Sequence, residues 1–286
     1  MKASDRARRI RRRRQVAVLL GIAGALLIAY LLSAGSPHLR SSAQAQHRSR
    51  VRAGNPSAAI SSAAVAATLP YTSYIAAGSI RVREVALTFD DGPSPYTQAI
   101  LRVLRRERAQ ATFFETGRAI RAYPQISRAV LAAGMAVGNH TQSHAFLGRL
   151  AVSAQAAEID GPASALRAAS LPPTNLFRPP YGSFNAATLG LLRQRHTLMV
   201  LWSADTKDFS QPGVKRIIYV AVSGAKPGAI ILMHDGGGPR AQTVAALPRI
   251  IQRLRQRGFR LVTIPQLLHD DPPPPGQLPP RNLAGN

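Results

Sequence analysis

The segment Val85-Ala86-Leu87-Thr88-Phe89-Asp90-Asp91-Gly92-Pro93 places two adjacent carboxylates directly after a short apolar run. An apolar run that ends in Gly-Pro is typical of a buried strand followed by a turn. In α/β folds the C-terminal ends of strands carry the catalytic and ligand-binding groups. One aspartate can therefore bind a cation while its neighbour acts as a base. Asp-Asp-Gly-Pro is also an ordinary turn sequence, so the remaining segments must decide between these interpretations.

Short apolar runs alternate with amphipathic stretches through the segment 80–269. Seven such runs, the first at 85–89 and the last at 260–263, are separated by stretches of helical period such as 95–108 and 240–257. Repeated β-α units of this kind indicate an α/β fold with a mostly parallel sheet and helices outside it. We therefore expect a distorted (β/α) barrel with about seven parallel strands, preceded by one N-terminal transmembrane helix.

The N-terminal segment is predicted to anchor the chain in a membrane. Residues 1–15 contain eight Lys and Arg residues and one Asp, and they precede the uncharged apolar segment 16–34. A helix of that length spans roughly 28 Å, which matches the hydrocarbon core of a bilayer. The basic flank should remain cytoplasmic, which predicts a single-pass cell-membrane protein with its folded domain outside. Cleavage after the A-x-A sequence at 43–45 would instead give a secreted protein.

Composition defines two further segments and narrows the range of partners. Segment 35–79 is rich in Ser, Ala, Arg and Gln without a sustained apolar period, which predicts a flexible linker. Segment 270–286 contains a run of four prolines, which predicts a disordered tail. The formal net charge of +24 suits nucleic acid or an anionic membrane. Because most basic residues follow the predicted anchor and are expected outside the cell, we expect no nucleic-acid partner.

A second polar segment, Gly138-Asn139-His140-Thr141-Gln142-Ser143-His144, follows another apolar run. Histidines four residues apart face the same way on a helical turn and can bind one ion. With Asp91 they would form a two-His, one-carboxylate site with open positions, which is typical of a catalytic metal. The same ligands suit a non-haem iron oxygenase, and a lone His-x-x-x-His is commonly a pair of surface residues. The spacing therefore leaves the metal open.

Three further polar segments also follow predicted strands. Arg178-Pro179-Pro180-Tyr181-Gly182 combines an arginine that can keep a carboxylate ionised with a stiff turn whose Tyr181 N–H can stabilise an oxyanion. The segment 202–209 holds the only Trp and two acids. In 232–235 a histidine ends an apolar strand, where a nearby carboxylate would raise its pKa and make it a general acid. Five polar clusters at predicted strand C-termini favour one catalytic site.

Taken together, the five segments resemble the polysaccharide deacetylases of carbohydrate esterase family four. The resemblance covers roughly residues 82–268 and rests on TFDDGP (88–93), HTxxH (140–144), RPPYG (178–182), WSxDxxD (202–208) and LxHD (232–235). It implies a distorted barrel that removes N- or O-acetyl groups with a divalent metal, commonly Zn²⁺, with Co²⁺ or other divalent ions as alternatives. We expect N-deacetylation of an N-acetylglucosamine polymer such as peptidoglycan or chitin. An O-acetyl esterase acting on xylan and a non-catalytic wall-binding module are the alternatives.

The resemblance also implies which residues hold the metal and which one is the base. Asp91, His140 and His144 would be the metal ligands. Asp90 would be the general base that activates water, and Arg178 would keep this carboxylate ionised.

The other positions of the resemblance concern the leaving group and the substrate. The Tyr181 amide would stabilise the oxyanion, and His234, oriented by Asp205, would protonate the leaving amine. Phe209 stands where the family often has Trp, so it keeps an apolar wall without an indole N–H. The remaining substrate contacts would be made by Leu232, Trp202 and Pro180.

Overall fold

The computed structural model describes residues 63–277. Residues 1–62 and 278–286 lie outside the described part, and with them the predicted basic flank 1–15 and the predicted anchor 16–34. Between residues 63 and 277, no helix has the length and apolar character that spanning a bilayer requires.

A curled sheet of parallel strands forms the centre of the fold. Its strands are β1 (Tyr74–Ile75), β2 (Glu84–Asp90), β3 (Thr112–Glu115), β4 (Ala136–Asn139), β5 (Leu176–Phe177), β6 (Leu198–Val200), β7 (Ala204–Asp205), β8 (Ala229–His234) and β9 (Arg260–Val262). The order is β1-β6-β5-β4-β3-β2-β8-β7, and β9 pairs with β2. All strand pairs are parallel. The curl is consistent with the distorted barrel expected from the sequence, and the two additional strands, β1 and β7, have only two residues each.

Eight labelled helices follow or flank the strands of the described region. They are α1 (Pro95–Arg106), α2 (Gly117–Ala122), α3 (Pro124–Ala132), α4 (Val152–Ala168), α5 (Ala186–Gln194), α6 (Val214–Ser223), α7 (Ala241–Gln256) and α8 (Ile264–Asp270). Helix α1 begins immediately after the turn that follows β2. The Ser94 side chain accepts a hydrogen bond from the Tyr96 N–H (3.0 Å), and Thr97 Oγ1 accepts one from the Ser94 N–H (2.7 Å). This capping box fixes where the helix starts.

Strand β2 is the central strand and is buried along its whole length of seven residues. Val85, Leu87 and Phe89 pack in one apolar cluster with residues of α1 and α7, whereas Ala86 packs in a second cluster that includes residues of α8. A parallel strand covered on both faces reads as a continuous apolar run, which is why this strand was visible in the sequence. Truncating Leu87 to Ala should cost about 2–5 kcal/mol of unfolding free energy.

The prediction of a flexible linker at 35–79 is wrong for residues 63–79. Residues 63–68 are helical, and Val65 and Ile75 are fully buried. β1 pairs with β6, with Tyr74 opposite Met199. These few apolar residues pack on the sheet although they form no periodic pattern, because their partners are distant in sequence. The folded unit therefore begins before the predicted boundary at residue 80.

The prediction of a disordered tail at 270–286 is likewise wrong for residues 270–277. The buried Asp271 carboxylate accepts hydrogen bonds from the backbone N–H groups of Arg81 (3.0 Å) and Val82 (2.9 Å). The Gln277 side chain accepts from the N–H groups of Ala76 (2.7 Å) and Ala77 (3.1 Å). These hydrogen bonds hold the segment after α8 against the segment that follows β1. The proline run carries no signal of such contacts, so composition alone predicted disorder.

Candidate active site

The candidate site lies at the C-terminal ends of β2, β4, β5 and β8. In the register of the sheet, Asp90 pairs with Phe114 on one side and with His234 on the other. Asp90 ends the strand, and Asp91 follows in a left-handed conformation with φ of 74°. A Cβ on Gly92 would lie 2.2 Å from Asp235 Oδ2, so only glycine fits there. The tight turn after β2 therefore presents two adjacent carboxylates in different directions.

Asp91, His140 and His144 form a compact cluster of metal-ligand atoms. Asp91 Oδ1 lies 3.0 Å from His144 Nε2 and 3.4 Å from His140 Nε2, and the three ligand atoms are within 4.8 Å of one another. Within the described residues this buried oxygen has no hydrogen-bond partner. Burial acts to raise the pKa of Asp91, but the two imidazoles outweigh it and hold this pKa well below its usual range. An ionised carboxylate facing two imidazole nitrogens fits a divalent cation.

Both histidines are oriented through their second ring nitrogen. His140 Nδ1 lies 2.8 Å from the carbonyl oxygen of Arg178, which can only accept, so Nδ1 carries the proton and Nε2 is free to ligate. His144 Nδ1 lies 3.1 Å from the Tyr181 hydroxyl. The prediction that the pair sits on a helical turn is wrong. Thr141 and His144 have positive φ values of 66° and 64°, and a loop after β4 brings the two rings together.

Asp90, the predicted base, is paired with a buried arginine. Arg178 Nη1 donates to Asp90 Oδ1 (2.8 Å) and to Thr88 Oγ1 (2.8 Å). Its other donors reach the carbonyl oxygens of Val200 (3.0 Å) and Leu201 (3.0 Å). Burial lowers the pKa of Arg178 and the Asp90 charge opposes this, and an arginine remains charged. The other carboxylate oxygen, Asp90 Oδ2, lies 3.7 Å from His140 Nε2, so it faces the candidate metal site.

His234, the predicted acid, is oriented by Asp208 and not by Asp205. Asp208 Oδ1 lies 2.7 Å from His234 Nδ1, whereas Asp205 pairs with Lys207 Nζ at 2.9 Å. The spacing of the WSxDxxD segment did not distinguish the two acids. Lys207 has a positive φ of 56°, and this turn carries Asp208 back to the histidine. The assignment of Asp205 as the orienting residue is therefore corrected to Asp208, which the sequence analysis left without a role.

The pair formed by His234 and Asp208 is charged at neutral pH. Burial alone would lower the pKa of His234, but the hydrogen bond and charge of Asp208 raise it to about 9. Burial would raise the pKa of Asp208, but the hydrogen bond of His234 outweighs it and lowers that pKa. Asp208 Oδ2 also accepts from the Thr243 hydroxyl (2.6 Å) and the His234 N–H (2.9 Å). These contacts fix a protonated imidazole beside the strand that carries Asp90.

Three of the predicted substrate residues lie on the His234 side of the site. Leu232 is buried two positions before His234 on β8, and Trp202 is half-buried with its ring 5.8 Å from the Arg178 guanidinium. Phe209 is 48% exposed, and its ring meets the His234 ring edge-on at a centroid distance of 5.4 Å. Phe209 therefore offers the apolar wall expected of it, although its contact with substrate stays a prediction.

Pro180 and Tyr181 lie on the His144 side. Pro180 is buried and begins a 3-10 turn, and Tyr181 has a positive φ of 61°. The Tyr181 ring stacks on Phe146 with centroids 3.7 Å apart and planes 4° apart. The left-handed conformation turns the backbone at the position whose amide is predicted to stabilise the oxyanion, and that role stays a prediction. Phe146 received no role in the sequence analysis, and its only sequence signal is its position two residues after His144.

Two buried carboxyl groups beneath the site were not predicted. Burial raises the pKa of Asp235 to about 7 and that of Glu115 to about 8. Asp235 accepts a hydrogen bond from the Thr97 hydroxyl, and Glu115 accepts one from Ser127 at 2.6 Å. Asp235 stands in the LxHD segment, so its position was visible in the sequence. Its structural contribution, which is to connect β8 to the start of α1, was not visible.

Comparisons with known proteins agree with this geometry. The profile of the polysaccharide deacetylase family matches residues 78–199. The chain is 40% identical over 188 residues to a peptidoglycan-N-acetylglucosamine deacetylase of Bacillus cereus, covering 64% of this chain and 87% of that protein. It is 38% identical over 200 residues to a chitooligosaccharide deacetylase of Bradyrhizobium, covering 65% and 90%.

The fold is similar to that of a solved family member. A family 4 carbohydrate esterase from Streptomyces lividans, in complex with acetate, superposes with a TM-score of 0.61 at 35% identity, over 66% of this chain and 96% of that one. The chain belongs to the polysaccharide deacetylase family, as its five motifs indicated. It is a hydrolase of the de-N-acetylase class, which acts on carbon–nitrogen bonds other than peptide bonds.

Proposed function

We propose that this chain is a divalent-metal-dependent deacetylase that removes N-acetyl groups from an N-acetylglucosamine polymer of the cell wall, with peptidoglycan as its substrate. The observation that carries the proposal is that a carboxylate suited to be a base and a histidine suited to be an acid both lie beside the candidate metal ligands. Asp90 with Arg178 lies on one side of the Asp91, His140 and His144 cluster, and His234 lies on the neighbouring strand. The name of the similar Bacillus cereus protein supports peptidoglycan as the polymer.

Different residues of this chain carry out the two proton transfers, one from water and one to the leaving amine. Asp90, held by the charge of Arg178, takes the proton from the attacking water. His234, whose pKa of about 9 keeps it protonated at neutral pH, gives a proton to the leaving amine. The Tyr181 amide donates to the oxyanion that develops on the acetyl carbonyl. Leu232 and Trp202 line the pocket for the acetyl methyl group, and Pro180 and Phe209 make further contacts with the substrate.

Asp91, His140 and His144 are the residues that would hold the cation. Bound there, a divalent ion such as Zn²⁺ would supply Lewis-acid chemistry that makes water more acidic and polarises the carbonyl oxygen. Zn²⁺ suits a mixed set of imidazole and carboxylate ligands, and Co²⁺ has similar preferences. The ionised Asp91 oxygen, which faces both imidazole nitrogens, supports this assignment.

We further propose that the protein is held in the cell membrane by the segment 16–34, with the catalytic domain outside. The support is the sequence alone, which places a basic flank before an uncharged apolar segment. The acetylated glycan and the membrane are then its partners. Secretion after cleavage near residues 43–45 is the alternative. Protease protection of the N-terminal flank in intact cells would support the anchor, and recovery of the whole protein in the medium would contradict it.

The test of the proposed activity uses the full chain, because residues 63–79 are part of the fold. Incubated with Zn²⁺ or Co²⁺ and chitooligosaccharide or peptidoglycan, the protein should release acetate and form free amines. Asp90→Asn should lower the rate by at least about 100-fold, as expected for loss of a general base. Acetate release that survives this change would contradict the mechanism. Acetate release from acetylated xylan without free-amine formation would favour the O-acetyl esterase.

A further inference from the structure

Aromatic rings border the candidate site on both sides. On the His144 side, the Tyr181 hydroxyl lies 3.1 Å from His144 Nδ1, and the Tyr181 ring stacks on Phe146 with centroids 3.7 Å apart. On the His234 side, the half-exposed Phe209 ring lies 5.4 Å from the His234 ring. Tyr181 is 39% exposed and Phe209 is 48% exposed, whereas Phe146 is covered by Tyr181 and Arg149. Exposed aromatic side chains beside a catalytic centre are surfaces against which a ligand packs. A polymer bound across the site therefore passes over both.

A cation lies over each of these aromatic borders. The Arg149 guanidinium is 4.9 Å from the Phe146 centroid, and Lys207 Nζ is 5.7 Å from the Phe209 centroid. The Lys207 charge is balanced by Asp205 at 2.9 Å. Between residues 63 and 277 no salt bridge involves Arg149, and its side chain is exposed. Arg149 is therefore the border cation whose charge is available to a ligand.

The backbone that carries Arg149 is fixed to the neighbouring loop of the site. Arg149 ends a 3-10 turn, Leu147–Arg149, in which Leu147 is fully buried. The Gly148 N–H donates to Ser183 Oγ (3.1 Å), and the Asn185 side-chain amide donates to the Gly148 carbonyl (3.2 Å). Because the turn is anchored and the guanidinium lies over a ring, little freedom is lost when a ligand binds.

We propose that Arg149 binds a carboxylate carried by the sugar next to the one that is deacetylated, so that the enzyme favours an acidic N-acetylated glycan over a neutral one. This inference rests on the proposed deacetylase function. The guanidinium offers a planar pair of donors that matches a carboxylate. Two rings, Tyr181 and Phe146, separate it from His144, so its partner lies beyond the reacting acetamide. Wall glycans carry such a group as a lactyl carboxylate or on a peptide attached to it, whereas chitin carries none.

The experiment compares matched glycans with the full chain loaded with Zn²⁺. One oligosaccharide carries a free lactyl carboxylate, the second carries the same group as an amide, and the third carries a peptide with its own carboxylates. The wild type should favour a carboxylate-bearing glycan over the amide by about fivefold, through a lower KM. Whichever of the two acidic glycans is favoured identifies the source of the carboxylate. Added salt should reduce the preference because the contact is exposed.

Variants at Arg149 then assign the preference to this side chain. Arg149→Gln should abolish it, and Arg149→Lys, which keeps the charge without the planar fork, should retain part of it. Arg102→Gln removes the same charge from an exposed position on α1 and should leave the preference unchanged. Unfolding temperatures of the three variants should match the wild type, since both side chains are exposed.

Two results would overturn the inference, and they differ from a failure of the proposed function. A wild type that deacetylates the acid and the amide equally well lacks the preference. A preference that persists in Arg149→Gln belongs to another residue. A wild type that releases no acetate from any of these glycans or from chitooligosaccharide would instead overturn the proposed function, and the inference with it.

Discussion

Strand β2 carries an arginine–carboxylate pair at each end, and the two pairs are built differently. At the C-terminal end, Asp90 and Arg178 are both buried, with side chains 4% and 0% exposed. At the N-terminal end, Glu84 is equally buried, but the side chain of its partner Arg260 is 64% exposed. Arg178 also donates to a hydroxyl and to two carbonyl oxygens, whereas Arg260 shares its charge between Glu84 and Asp270.

The difference agrees with the proposed catalytic site at the C-terminal end of β2. A fully buried charge pair is costly to form unless every donor is satisfied, and it adds little net stability. Such a pair is understandable under the proposed function, in which Asp90 is the base and Arg178 holds its carboxylate in place. The pair at Glu84 lies at the opposite end of the strand, about 20 Å away for a seven-residue strand.

The largest expected effect comes from breaking the buried pair. Arg178→Gln leaves the Asp90 charge uncompensated inside the protein, so it should lower the unfolding free energy by about 3–5 kcal/mol. Activity should fall by at least about 100-fold because the base loses its orientation. Arg260→Gln at the other end removes a partner whose own side chain is 64% exposed and screened by solvent, so it should cost less than Arg178→Gln does. Urea unfolding and acetate release measured on both variants test the contrast, which equal losses would contradict.

The second-largest expected effect concerns His234, the predicted general acid, which lies on β8 beside Asp90. Asp208→Asn removes the charge that raises the pKa of His234 to about 9, so this pKa should fall toward its ordinary value of 6.5. The alkaline limb of the pH dependence of kcat/KM should move to lower pH, with roughly a tenfold loss at pH 8 and less at pH 6. Asp205→Asn, which loses the ion pair with Lys207 and leaves Asp208 in place, is the matched control. A limb that moves in the control and not in Asp208→Asn would restore the original assignment.

The same pKa shift has a consequence for stability. Because the folded pKa of His234 lies above the unfolded one, its contribution is fully present below about pH 6.5 and is lost as the pH rises through about 9. Wild type and Asp208→Asn should therefore differ most in unfolding free energy at acidic to neutral pH, and the difference should shrink above pH 9.

The smallest effect is expected at the N-terminal end of the strand. Burial raises the pKa of Glu84 above 4.5, against the opposing hydrogen bond of Arg260. Its stabilising share is present below the unfolded pKa and is lost as the pH rises through the folded one. Glu84→Gln keeps a neutral hydrogen-bonding side chain in the buried position, so it should lower the unfolding free energy less than Arg178→Gln does and should leave activity unchanged. Acetate release that falls with this variant would show that the two ends of β2 are not functionally separate.

The parts of the fold that the sequence predicted are those with a local signal. The run at 85–89 is continuous because β2 is covered on both faces, and α1 has a clear apolar period. β1 and β7 have two residues each, too few for any period, and were missed. β5 is equally short, but it was predicted because it directly precedes the Arg178-Pro179-Pro180 segment. Val65 and Ile75 are single apolar residues whose partners are distant in sequence, and this is why segment 63–79 resembled a linker.

Prediction of the candidate site from the sequence has the same limit. The motifs identified the residues, and the structure brings Asp91, His140 and His144 together. Backbone direction could not be read from spacing, since positive φ values at Thr141 and Lys207 decide how His144 and Asp208 face the site. The choice between Asp205 and Asp208 depends on that turn. A sequence pattern contains both acids and gives no reason to prefer either.

Asp90 and Asp91 are proposed to have separate roles, as base and as metal ligand, and Co²⁺ titration of the full chain tests this separation directly. Calorimetry and the visible spectrum should show one ion bound per chain in the wild type. Asp90→Asn should retain that ion while losing acetate release, because its side chain pairs with Arg178. Asp91→Asn should lose the ion. Loss of the ion in Asp90→Asn together with its retention in Asp91→Asn would contradict the assignment of base and ligand.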